Sequence, residues 1–331
     1  MLMQALYLKN RFRPARSRRG AGGLAPLIMA WLIHSAPAPA TAESLQHLGA
    51  RHGFTLYKDS DNRIELRNEF QTLRFEPFSR KLWINGTLVW MNAPLSTADG
   101  KTEPASCDLY SSLLPFFSES GLHTNRITTV VIDPGHGGMD GGATSRSDQE
   151  SEKRIVLEIA KTVRRRLAGT GINVLMTRAG DQTLSLDERV AFARQRRADI
   201  FLSIHLNAAP RRDAHGIETY IMPSAGYAAT ATGRIGNGAY NGNSFDGFNT
   251  LLAFYLQKSA LANVTAEDRG VKRARYEVLR QASCPAALIE CGFLSNPTES
   301  ERLQKPDYRI RVANGVANGL LTYIRRVETM P

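Results

Sequence analysis

From residue 128 onward, short apolar runs of strand length alternate with longer segments of helical period, and few folds accommodate that order. Residues 128–132 and 172–176 read as buried strands. Between them, 152–168 set Val156, Ile159, Ala160, Val163 and Leu167 on one helical face. Ser185-Leu186-Asp187-Glu188 is a capping box, predicting a helix that runs to Arg197. The runs 200–204, 217–221 and 286–289 predict three more strands, and 248–263 a helix. Ile310, Ala313, Ala317, Leu320 and Ile324 mark a terminal amphipathic helix. Strands apolar on both faces must be covered on both faces, so the pattern predicts an α/β fold with a twisted, mostly parallel sheet flanked by helices. Residues 223–247, rich in Gly, Ala and Asn without a helical stripe, read as a long surface loop near the site.

The 331 residues exceed what one core usually organises, and the preceding segment has a different texture. In 43–120 short pieces alternate: Ile64-Glu65-Leu66, then 70–75, then Lys81-Leu82-Trp83-Ile84, Asn85-Gly86 and Thr87-Leu88-Val89-Trp90. Asn-Gly between two such runs is a strong hairpin signal, because both turn positions tolerate positive φ. These residues predict a small β-rich domain at 43–120, followed by the α/β domain at 124–327. Leu82-Trp83-Ile84-Asn85-Gly86, Met91-Asn92-Ala93-Pro94 and Gly100 resemble the copper-amine-oxidase-like N-terminal, or stalk, domain. That resemblance implies no metal in this segment.

The charge balance is localised. The chain carries 42 Lys and Arg against 31 Asp and Glu, a net +11. Six of the basic residues (Lys9, Arg11, Arg13, Arg16, Arg18 and Arg19) fall in 1–42, which holds no acid. An apolar run at 24–33 and a small-residue tract ending Ala40-Thr41-Ala42 follow, the order of a secretory signal peptide cleaved after Ala42. The apolar run falls short of the about 20 residues that span a bilayer, so no stable membrane anchor is expected after cleavage. The reading is an exported protein of the periplasm or cell envelope. Three cysteines, none in a CxxC, exclude a thiolate zinc site, so any metal must use His, Asp or Glu. Cys284 and Cys291 flank a strand roughly 23 Å long, beyond disulfide reach, and buried free thiols are expected. No nucleic-acid motif accompanies the basic balance, and nucleic acid is excluded as a partner.

Polar residues stand where strands or helices begin or end. His136 follows a buried strand in Asp133-Pro134-Gly135-His136-Gly137-Gly138, and His205 ends Ser203-Ile204-His205-Leu206-Asn207. Glu152 opens a helix and Glu290 closes the 286–289 strand. Ligands of parallel α/β sheets bind outside the carboxyl ends of strands, where such residues converge. Two histidines and a carboxylate with an open fourth position form a catalytic zinc set. His215 is a further nitrogen donor, though a lone loop histidine is more often only that. On the residues alone, a ligand role and a capping or core role remain evenly balanced.

Residues 128–326 resemble the zinc-dependent N-acetylmuramoyl-L-alanine amidases of the amidase-3 family. The resemblance rests on Ile132 to Gly138, Glu152-Lys153, Thr177-Arg178, Leu186-Asp187-Glu188-Arg189, Ser203 to Ala208, Gly216-Ile217-Glu218-Thr219-Tyr220, Asp268-Arg269-Gly270-Val271-Lys272 and Ile289 to Asn296. It implies one zinc ion held by His136, Glu152 and His205, with Glu290 as the catalytic glutamate. Glu152 is preferred over Glu150 because Lys153 and the apolar spacing after it align with the family block. The implied enzyme is a peptidoglycan hydrolase cutting the amide between N-acetylmuramic acid and L-alanine of the stem peptide. A zinc-activated water attacks, and Glu290 serves as general acid and base. Arg178 and Arg280 are weighed as partners for stem-peptide carboxylates, against solvated arginines. Some family members cover the zinc with a helix that a partner displaces. The 223–247 stretch has no stripe for such a plug, so an activator protein is not expected to be required. The competing readings are a zinc peptidase acting within the stem and a non-catalytic wall-binding protein.

Overall fold

The computed structural model describes residues 43–59, 63–98, 101–117, 122, 124, 126–144, 151–236 and 238–328. The expected leader at 1–42 and Glu150 lie outside them.

Six strands form the later part, β8 Thr129–Pro134, β9 Asn173–Met176, β10 Ile200–Asn207, β11 Ile217–Ile221, β12 Asp268–Arg273 and β13 Ala286–Phe293, and all but β12 follow the apolar runs. They lie in the order β12-β11-β13-β10-β8-β9. Every pairing among them is parallel except that of β11 with β13. Helices α2 Glu152–Leu167, α4 Asp246–Asn263 and α6 Pro306–Glu328 cover one face. On the other face, α3 Leu186–Gln195 and the helical turn Glu277–Arg280 pack over Val131, Phe201 and Leu288. Ser185 caps α3 with both bonds of the predicted capping box. A further helix, α5 Pro297–Gln304, follows β13.

The N-terminal segment opens with helix α1, Leu45–Arg51, and then runs through β1 Thr55–Lys58, β2 Ile64–Arg67, β3 Thr72–Phe75, β4 Lys81–Ile84 and β5 Thr87–Trp90. Each of these strands pairs antiparallel with the next, and Asn85 and Gly86 take φ of 47° and 84° in the predicted turn. The residues are β-rich, as their pattern predicts, but they do not stand apart. β5 pairs parallel with β12 through Val89 and Val271, giving one 11-stranded sheet. The Asp268 carboxylate accepts from Leu88 N at 2.9 Å, and Arg273 Nε donates to Trp90 O at 2.8 Å. Leu45, Leu66, Phe75 and Val89 share one apolar core with Ile132, Leu252 and Val316.

Candidate metal centre

The site is built where β8, β10 and β13 present polar side chains on one sheet face. Side chains alternate along a strand, and Val131, Phe201 and Leu288 on that face place Asp133, Ser203, His205 and Glu290 there too. His205 and Glu290 are register partners across β10 and β13, and Glu218 of β11 is the partner of Glu290. Glu218, Glu290 and His205 therefore stand side by side on three neighbouring strands.

His136 sits just past β8 with φ of 58°, a left-handed conformation costing roughly 1–3 kcal/mol for a non-glycine residue. Two buried arginines hold it there. Arg189 donates to Pro134 O at 2.9 Å and His136 O at 2.8 Å, and pairs with the Asp133 carboxylate at 2.8 Å. Arg178 donates to the carbonyls of Pro134, Gly135, Lys153 and Gly180 at 2.7–2.9 Å. Asp133, fully buried, also accepts from Thr177 and Ser203. Arg178 thus positions the histidine loop and is only 2% exposed. It is neither the substrate contact nor the solvated arginine weighed from the sequence. A side chain at Gly135 would put its Cβ 2.1–2.5 Å from the His205 ring, so the loop reaches the second histidine only with glycine there.

Glu152 is the first residue of α2, where the positive end of the helix dipole favours a carboxylate. Its Oε1 lies 3.1 Å from His136 Nε2, 3.0 Å from His205 Nδ1 and 3.0 Å from Leu206 N, while Oε2 accepts from Ala143 N. His136 Nε2 meets only Glu152 among the described residues, and its Nδ1 is held by Asp140 at 2.8 Å. His136, Glu152 and His205 each offer one ligand atom, all within 4.8 Å of one another. Bonds of about 2.0–2.1 Å in a tetrahedron separate ligand atoms by about 3.3 Å, close to the spacings about Glu152 Oε1. The Asp140-His136 contact is the outer-shell carboxylate that metal-ligating histidines usually carry. The set can hold a metal ion.

The electrostatics agree with a cation there. Burial alone would raise the Glu152 carboxyl, but the two imidazoles hold it below its usual value. Burial would lower His136, yet Glu152 and Asp140 raise it. Glu290 is 3% exposed, its Oε2 lacks a hydrogen-bond partner among the described residues, and burial followed by the Glu152 and Glu218 carboxylates pushes it well above the carboxylate range. Glu218 is compensated: it accepts from Asn207 at 2.6 Å, Tyr220 at 2.6 Å and Arg269 at 2.8 Å, with Lys272 also bound.

Residues 130–322, more than half of the chain, match the Amidase_3 family, described as N-acetylmuramoyl-L-alanine amidase. The chain belongs to this family. Among Amidase_3 relatives, N-acetylmuramoyl-L-alanine amidase LytC of Bacillus subtilis is 34% identical over 197 residues, covering 60% of this chain and 36% of the relative. AmiC of Neisseria meningitidis is 33% identical over 222 residues, covering 60% and 53%. The chain thus spans about a third to a half of these curated relatives. The crystal structure of an N-acetylmuramoyl-L-alanine amidase from Clostridium difficile 630 is 36% identical, with a TM-score of 0.52, covering 60% of this chain and 97% of that one. The catalytic domain of CwlV from Paenibacillus polymyxa is 32% identical, with a TM-score of 0.52, covering 61% and 100%. CwlD of Clostridioides difficile, 27% identical with a TM-score of 0.50, was solved in complex with the GerS lipoprotein, covering 59% and 98%.

Other expectations resolve individually. His215 is exposed, bonded to Asp213 O and near Glu267, outside the cluster. Arg280 pairs with Glu277 and lies over Tyr240. The loop at 223–247 leaves β11, which runs antiparallel to β13, from the end of the sheet opposite His136. It is therefore not near the site, because strand direction is invisible to an apolar pattern. All three cysteines are free, with Cys284 and Cys291 buried. Glu218, Asp133 and Asp140 were missed as supports. Glu218 and Asp133 lie within blocks that carry the resemblance, but side-chain roles need the register.

Proposed function

We propose that the chain is a zinc-dependent N-acetylmuramoyl-L-alanine amidase, hydrolysing the amide between N-acetylmuramic acid and L-alanine of the peptidoglycan stem. The observation that carries this reading is the His136, Glu152 and His205 set beside a buried Glu290 carboxyl whose Oε2 has no hydrogen-bond partner among the described residues, inside the Amidase_3 span. Zinc held there would supply Lewis acidity and a water that ionises near neutral pH. Glu290 takes the proton of the attacking water and delivers it to the leaving amine of L-alanine, a role worth typically 10²- to 10⁴-fold. Glu152 and the imidazoles would hold the cation, whose charge would oppose the burial and the neighbouring carboxylates that raise Glu290. Asp140 holds His136 Nδ1, which leaves Nε2 as the nitrogen that would serve as a ligand.

The surrounding reading is of one piece with this. Residues 1–42 act as an export signal, 43–120 as a stalk-like unit joined to the sheet, and 124–327 as the catalytic domain. The protein works in the periplasm or cell envelope on peptidoglycan, without nucleic acid. Among the described residues no helix is long and apolar enough to cross a membrane. The site needs no activator protein, so added partners leave turnover of a soluble muropeptide unchanged.

Two variants test the assignment. Glu290→Gln retains one zinc per chain by elemental analysis and loses at least about 100-fold in turnover. His136→Ala loses the zinc. Full turnover by Glu290→Gln contradicts the reading.

A further inference from the structure

The register ties the N-terminal strands to the site. Following paired residues from Glu290 through Glu218 of β11, Lys272 beside Tyr220, Leu88 of β5 and Trp83 of β4 stays on one face of one sheet. At about 4.8 Å per strand, Trp83 lies roughly 19 Å from Glu290 across four steps. There the face becomes aromatic and cationic. Arg74 sits 4.5 Å over the Trp83 ring, Lys81 lies 5.9 Å from the rings of Trp83 and Trp90, and Arg67 lies 5.2 Å from Tyr57. Glu65 pairs with Arg67 and Glu76 with Lys81, whereas exposed Arg74 has no hydrogen bond or ion pair among the described residues.

We propose that this face binds the peptide-free glycan strand that the reaction leaves behind, a proposal resting on the amidase reading. Hydrolysis breaks the C–N bond, adds the water oxygen to the lactyl carbonyl carbon and sends a proton to the departing amine. Each muramyl unit is left with a free carboxylate and sugar faces no longer masked by peptide. A stacked guanidinium keeps its donors free for a bidentate carboxylate, and flat aromatic rings suit pyranose faces. A polymer can reach both this face and the catalytic residues, so product binding holds the enzyme on the strand it has begun to strip.

Two of the chain's three tryptophans, Trp83 and Trp90, lie on this face, so intrinsic fluorescence reads it directly. The full chain is titrated with glycan strands freed of peptide beforehand, with peptide-bearing strands, with neutral N-acetylglucosamine oligomers and with polyglutamate. The fluorescence change and tightest binding are expected with the peptide-free strands, and Arg74→Glu weakens that binding about tenfold or more with an unchanged unfolding midpoint. Arg74→Gln, which keeps the shape and removes the charge, gives an intermediate loss. Absent binding, equal binding of polyglutamate or neutral oligomers, or wild-type affinity in both Arg74 variants overturns the proposal. The assay needs no turnover, so a chain that hydrolyses nothing can still pass it, and an active enzyme can fail it.

Discussion

His136 shows what the site demands of single residues. It holds a left-handed backbone that its sequence neighbours alone would not select, fixed by Arg178 and Arg189 on the surrounding carbonyls. Both arginines are buried, at 2% and 3% exposure, and no local sequence pattern marks them as such. From their places at strand and helix ends alone, the two histidines and two glutamates of the proposed chemistry were evenly balanced between ligand and capping roles, and the family resemblance singled them out. The carboxylates that orient and neutralise them were not legible, because a side-chain partner across strands leaves no local pattern. Asp140 is the test at this scale: Asp140→Ala should lower zinc affinity about 10- to 100-fold while leaving the fold intact, measured by competition with a chelator.

Among the elements, β8, β10 and β13 each run further than their apolar runs predict, to Pro134, Asn207 and Phe293. The polar residues that end the apolar pattern, Asp133, His205 and Glu290, are themselves buried strand residues. β12 left still less trace, since Asp268-Arg269-Gly270-Val271-Lys272-Arg273 holds one large apolar residue and forms a strand because β5 and β11 flank it. Its Gly270 has φ of 83°, and a Cβ there would lie 2.7 Å from Leu88 Cγ. Gly270→Ala should therefore strain the joint between β5 and β12 and cost roughly 1–3 kcal/mol in denaturant unfolding, with zinc content retained.

For the molecule as a whole, the unexpected feature is that β1–β5 extend the sheet that carries the candidate metal centre. Val89 and its neighbours in β5 are buried, which befits an interior strand better than an edge. The same continuity affects acid stability. Burial would raise Glu218, but Lys272 and its other partners hold its folded pKa below the usual 4.5. A depressed carboxylate contributes stability above its unfolded value and loses it as pH falls through the folded one. Glu218→Gln should cost on the order of 3 kcal/mol at neutral pH, and the gap from wild type should narrow below about pH 4.5 in urea unfolding. The central claim concerns which bond is cut. Mass spectrometry of peptidoglycan fragments after incubation with the zinc-loaded chain should show intact stem peptides with free N-terminal L-alanine beside peptide-free muramyl sugars. Stem peptides shortened between amino acids, with the muramyl amide intact, would contradict it.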